Sequence, residues 1–227
     1  MTASTSSQYL SPTTALVSPT LAAGEYSPLK QSPLKQPPLI LGVMASGSGS
    51  NFEAIAKAIE EGTLNARIAV VIYNNPQAKV AERAQRLGIP AKLLDHRQFD
   101  SREALDDAIA AHFKSYKIDW VIMAGWMRRV TQRLLSAFPN HILNIHPSLL
   151  PSFPGIRSVE QALSAGVKIA GCSVHIVELI VDSGPIVMQA AVPVLPEDSV
   201  ETLQARIQVQ EHRIFPQAIA LAASLYS

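Results

Sequence analysis

The chain has 227 residues, enough for one sizeable α/β domain and too few for two of ordinary size. Hydrophobic residues make up 48% of it, so core burial is not limiting, and 19 Lys and Arg against 18 Asp and Glu leave a net charge of +1. That balance gives no electrostatic case for gripping nucleic acid or an acidic membrane, so any bound anion must be held locally. The single cysteine, Cys172, excludes an internal disulfide and a multi-cysteine metal site, and it reads as a small, inert core residue. No apolar run approaches the roughly 18 residues of a membrane-spanning helix, and the expected compartment is cytoplasmic.

Residues 1–38 stand apart from the rest. Ser, Thr and Pro dominate, SPLKQ occurs twice in succession at 27–36, and Glu25 is the only acid. Such a stretch cannot bury enough apolar surface to offset its chain entropy, so it reads as a disordered tail preceding a folded domain at 39–227. A Ser-rich, acid-poor start also suits an organelle transit peptide, but those usually contain arginine and this segment has none.

From Leu39 the pattern alternates. Buried-strand runs at 39–45, 66–73, 89–94, 120–124 and 141–145 are separated by helical stretches at 52–61, 79–87, 101–116 and 131–137. This rhythm predicts a Rossmann-like, doubly wound, mostly parallel sheet with helices on both faces and ligands at the carboxyl ends of the strands. After a Pro-rich loop come a helix near 158–165, strands near 169–177 and 186–194, and a long amphipathic helix from Ser199 to Leu225, where Pro216 predicts a kink.

SGSGSN (46–51) follows the first of these strands and opens a helix. Gly47 and Gly49 permit a tight turn and close backbone approach, and the free N–H groups of the helix start favour an anion. A dinucleotide fingerprint is excluded because Phe52 stands where its third glycine belongs and Asn74 and Asn75 stand where an acid belongs; a P-loop lacks its Gly-Lys-Ser/Thr. What remains is a site for a small phosphate at Gly49, Ser50 and Asn51, or else a simple capped turn, since Ser50 and Glu53 have capping-box spacing.

Asn144 and His146 lie two apart on one strand face, at its carboxyl end, and Pro147 stops the strand. Acyl transfer to an amine needs a donor for the developing oxyanion and a group that titrates near neutrality, which an amide and an imidazole supply. Asp182, in a loop between the last two strands, is the carboxylate best placed to hold His146 charged. Zinc held by His146, His175 and Asp182 fits no known ligand spacing, so no metal is expected, and His175 reads as a packed strand histidine.

SGSGSN, AGWMRR (124–129), NIHPSLLPSFPG (144–155), VDSGP (181–185) and QVQEH (208–212), in this order, resemble the glycinamide ribonucleotide formyltransferase family of folate-dependent enzymes. The resemblance runs from Leu39 into the last helix. It implies formyl transfer from 10-formyltetrahydrofolate, as co-substrate, to phosphoribosylglycinamide in purine biosynthesis. It also implies phosphate binding by Gly49, Ser50 and Asn51, catalysis by Asn144, His146 and Asp182, and a contact from Glu211 to the substrate's amine end. Arg102, Met127, Arg128, Arg129 and Val130 would line the folate site with Asn144. Arg129 stands where the family usually has an aliphatic residue, and Leu179, Ile180 and Val181 make the loop before Asp182 unusually apolar. Rival readings are a formyltetrahydrofolate deformylase, expected to carry a regulatory domain that residues 1–38 cannot form, and an initiator-tRNA formyltransferase, expected to have a further basic domain. A third is a silent folate- or phosphate-binding protein, which has no need of His146 and Asp182 together.

Overall fold

The computed structural model describes residues 16–19 and 37–226. Its strands are β1 (Leu16–Ser18), β2 (Leu39–Ala45), β3 (Ala66–Tyr73), β4 (Ala91–Leu93), β5 (Trp120–Met123), β6 (Ile142–His146), β7 (Ile169–Ile176) and β8 (Ile186–Pro193). They form one sheet in the order β1-β8-β7-β6-β5-β2-β3-β4. Pairing is parallel from β6 through β5, β2 and β3 to β4, and antiparallel from β6 through β7 and β8 to β1. The helices are α1 (Ser50–Glu60), α2 (Val80–Arg86), α3 (Arg102–Ser115), α4 (Gln132–Ala137), α5 (Ser158–Ser164) and α6 (Val200–Leu225).

Side-chain alternation explains the two faces. Leu41, Val43, Trp120, Ile122, Leu143 and Ile145 pack with Phe52 and Ile55 of α1 and with the apolar side of α6. Their neighbours Met44, Val70, Ile72, Val121, Met123 and Ile142 point the other way, onto Leu105, Ile109 and Phe113 of α3 and Leu134 of α4. The mostly parallel, doubly wound sheet read from the sequence is therefore the one found. α6 begins with a reciprocal capping box between Ser199 and Thr202, and Pro216, where the sequence predicts a kink, lies inside the continuous helix. Cys172 is free and packed in the α1–α6 core, where burial pushes its thiol pKa up.

The chain winds outward from β2 to β3 and β4, then returns to the other side of β2 with β5 and β6. The carboxyl ends of β2 and β5 are thus the switch point, where diverging loops leave a crevice. Ser46 ties the two loops: its N–H donates to the Gly125 carbonyl at 3.0 Å, and its Oγ accepts from the Met127 N–H at 2.9 Å.

One expectation needs correction. Leu16–Ser18, assigned to a disordered tail, form a strand on the outer edge of β8, Val17 opposite Ala190. The edge of β8 presents backbone donors and acceptors that any nearby extended segment can pair, whatever that segment's composition. The remainder of the 1–38 reading lies mostly outside the described residues.

Candidate active site

The loop after β2 and the start of α1 form one end of a cleft of about 790 Å³. Gly49, the residue before α1, has φ 76°, and a Cβ there would stand 2.6 Å from Val80 Cγ2, so both conformation and space require glycine. No side chain caps α1. The capped-turn alternative fails because Glu53 is engaged by Arg83 and Arg86, while Ser50 Oγ accepts from Gln208 Nε2 at 3.0 Å. The first N–H groups of α1 are therefore available, with the helix dipole, for an anion in the cleft.

The side chain of Asn51 reaches across to α6. Its Nδ2 donates to Glu211 Oε2 at 2.9 Å, and both residues are buried. Glu211 lines the cleft, and burial raises its pKa, only partly offset by the Asn51 hydrogen bond. A buried carboxylate facing a cleft favours a cationic or N–H-rich ligand group. Gln208, one helical turn earlier and also lining the cleft, was missed in the sequence. Its spacing of three from Glu211 on α6 was the available signal.

At the other end, β6 presents Asn144 and His146, and the antiparallel register sets His175 opposite Asn144 and Ser173 opposite His146. Asp182, at φ 54° in the loop between β7 and β8, folds back as expected: its Oδ2 lies 3.3 Å from His146 Nδ1 and its Oδ1 3.5 Å from His175 Nε2. The Gly155 N–H also donates to Asp182 Oδ2 at 2.7 Å. Burial alone would raise the Asp182 pKa. The bonds from His175 and Gly155 and the two nearby imidazoles outweigh it, and the carboxyl is held below its ordinary value. His146 Nε2 lies 2.9 Å from the Phe153 carbonyl, so both ring nitrogens face oxygen atoms.

His175, set aside in the sequence as a packed histidine, joins this group. Its Nδ1 donates to the Ile176 carbonyl at 2.8 Å, and its Nε2 lies between Asn144 Nδ2 at 3.1 Å and Asp182 Oδ1 at 3.5 Å. That contact orients the Asn144 amide at the carboxyl end of β6. The signal lay in the alternation of β7, where Ser173 and His175 interrupt the apolar series of Cys172, Val174 and Ile176.

Met127, Arg128, Arg129 and Val130 line the cleft beside the trio, together with Pro154, Leu179 and Val181. Arg128 Nε and Trp126 Nε1 are buried without a hydrogen-bond partner. Arg102 is not in the cleft proper. It stands at the exposed start of α3, in an adjoining depression that shares Arg129, Val130 and Leu179 with the cleft.

A helix start with available N–H groups and an amide–imidazole–carboxylate group face one crevice, and the chain is a group-transfer enzyme by its family: the model described as Formyl transferase matches residues 41–219. Over 177 residues the chain is 42% identical to phosphoribosylglycinamide formyltransferase of Bacillus subtilis, covering 78% of this chain and 91% of that one. It is 42% identical over 182 residues to the Homo sapiens trifunctional purine biosynthetic protein adenosine-3, covering 80% of this chain and 18% of that larger protein. The solved structure of glycinamide ribonucleotide transformylase 1 from Symbiobacterium toebii superposes with a TM-score of 0.83 at 49% identity, over 86% of this chain and 92% of that one. The chain belongs to the phosphoribosylglycinamide formyltransferase family of folate-dependent formyl transferases.

Proposed function

We propose that this chain transfers the formyl group of 10-formyltetrahydrofolate to the amine of 5'-phosphoribosylglycinamide, with residues 39–227 as the catalytic domain. The observation that carries the reading is the convergence of Asn144, His146 and Asp182 on the same cleft that the start of α1 opens into. The phosphate sits against the N–H groups of Gly49, Ser50 and Asn51, and the glycinamide amine lies toward Glu211. The folate occupies the wall formed by residues 127–130, Pro154, Leu179 and Val181. Apolar side chains and the unpartnered Arg128 Nε there suit a flat heterocycle with polar edges. Arg102 and Arg129 stand where the folate's carboxylate end would leave the cleft.

In the reaction the amine nitrogen bonds the formyl carbon, the bond from that carbon to the folate nitrogen breaks, and one proton passes from amine to leaving nitrogen. Nothing is oxidised or reduced. The amide of Asn144, oriented by His175, donates to the developing oxyanion, and the imidazole of His146 adds positive charge beside it. Asp182, held ionised, keeps that charge in place, and the His146–Asp182 pair carries the proton. The proposed compartment is the cytosol and the proposed partners are small molecules. No helix among the described residues is long and apolar enough to cross a membrane, and a net charge of +1 offers no basis for nucleic-acid binding.

The test follows loss of the formyl group spectroscopically with purified protein and 10-formyltetrahydrofolate, with and without phosphoribosylglycinamide. Turnover that depends on the ribonucleotide is expected. Equal turnover without it identifies a hydrolase, and binding without turnover in either mixture leaves only a folate-binding protein.

A further inference from the structure

The loop from Pro147 to Gly155 supplies two groups to the proposed catalytic pair: the Phe153 carbonyl against His146 Nε2 and the Gly155 N–H against Asp182. What holds this loop is a buried polar cluster on the face of β7 and β8 that points away from α6. Ser173, fully buried and paired across the sheet with His146, donates from Oγ to the Ser148 carbonyl at 2.7 Å and accepts from the Leu150 N–H at 3.0 Å. Gln189, paired with Ser173 on the next strand, donates from Nε2 to Ser173 Oγ at 2.8 Å and to the Leu150 carbonyl at 3.0 Å. Ser148 Oγ then donates to the Ser152 carbonyl at 2.6 Å, one residue before Phe153.

Where α3 and α4 cover the other half of this face with apolar side chains, here the loop itself is the cover, and its backbone polar groups are met by side chains of the strands beneath. A hydroxyl and a carboxamide in adjacent strands serve this purpose well. The hydroxyl accepts and donates at one point, and the amide's two N–H groups span from hydroxyl to loop carbonyl. A loop with buried backbone groups and no such partners would be costly, and it would have no single conformation to prefer.

We infer that Ser173 and Gln189 are positioning residues for catalysis: they pin the 147–155 loop so that the Phe153 carbonyl and the Gly155 N–H set the orientation of His146 and Asp182. The inference rests on the reading of His146 and Asp182 as the catalytic pair. Neither Ser173 nor Gln189 lines the cleft, so the effect is on chemistry rather than on substrate capture. The phosphate end, on α1 and α6, is built from other elements.

The experiment compares Ser173→Ala and Gln189→Met, each alone and combined with His146→Ala, measuring kcat and KM for both substrates. Gln189→Met keeps the chain length and removes both donors, and it carries the test if Ser173→Ala does not fold. A misplacement of about 1 Å costs on the order of 10²-fold, so kcat should fall about that far, with KM for the ribonucleotide little changed. In the His146→Ala background the same substitutions should cost almost nothing, because the group they orient is gone. A loss of folded protein would instead carry over in full to that background. Equal losses in both backgrounds, or near-normal kcat in either single variant, overturns the inference. If His146→Ala alone keeps nearly full turnover, the catalytic reading itself fails, and that result is distinct from the others.

Discussion

At one end of the cleft the working groups are main-chain N–H groups of the first turn of α1; at the other they are the side chains of Asn144, His146 and Asp182, drawn from β6 and from a loop 36 residues further on. The first end is local. Six consecutive residues, a positive φ at Gly49 and a helix start without a side-chain cap make up the proposed anion site, which rests on backbone N–H groups. The second end exists only because an antiparallel pairing, a returning loop and a pinned Pro-rich segment bring separate pieces within hydrogen-bond reach. The difference teaches that the two ends should fail differently: the backbone site through conformation, the side-chain site through chemistry.

The largest effect is expected where one side chain carries the reaction. His146→Ala should lower kcat by about 10²–10⁴-fold, the usual cost of losing a general acid–base group, while calorimetry still detects ribonucleotide binding. Loss of binding alongside kcat would break the separation of the two ends.

Gly49→Ala should act in the opposite sense. A left-handed conformation costs an L-residue about 1–2 kcal/mol, and here the new Cβ also meets Val80. KM for the ribonucleotide should rise by about tenfold or more, with kcat retained. A fall in kcat at unchanged KM would put the phosphate elsewhere.

Glu211→Gln sharpens the comparison through pH. Burial raises this carboxyl above its ordinary value of 4.5, so the folded protein binds the proton more tightly than the unfolded chain. Stability from the protonated form is present below the ordinary glutamate range and is lost as pH rises through the folded value. The variant, neutral at all pH, should therefore match the parent near pH 4 and melt at a higher temperature at pH 7, while its KM for the ribonucleotide rises. Thermal melts at the two pH values check the first statement and steady-state kinetics the second.

The smallest effect is expected at Ser50. Its hydroxyl bonds Gln208, and Ser50→Ala leaves every N–H of the helix start in place. The change should cost about 1 kcal/mol in apparent ribonucleotide affinity, the net worth of one hydrogen bond. A loss as large as that of His146→Ala would mean that this end is a side-chain site after all.

Much of this molecule is legible in its residues one after another. Near-continuous apolar runs such as LILGVMA and ARIAVVIY, separated by helical stretches, predict a parallel sheet, and β2 and β3 occupy those spans. The glycine loop suggests an anion site from the residues alone, because such a site at a helix start depends only on local backbone conformation. Asn144 and His146 fall on one face by strand geometry alone. Other features depend on distance. His175 looked like a packed histidine, because nothing near it in the chain shows that β7 runs antiparallel to β6 and sets it opposite Asn144. Glu211 has a part to play only through the family resemblance, because nothing near it in the chain shows that α1 and α6 pack together and place Asn51 against it. Arg102 falls outside the main cleft because the start of α3 lies beside the crevice rather than in it. The short pairing of Leu16–Ser18 with β8 is likewise invisible in a Ser- and Pro-rich segment, since an edge strand recruits backbone and not side chains. Local periodicity and backbone conformation belong to the chain itself. Which side chains meet across the sheet is settled by strand order and register, which arise only when distant segments pack.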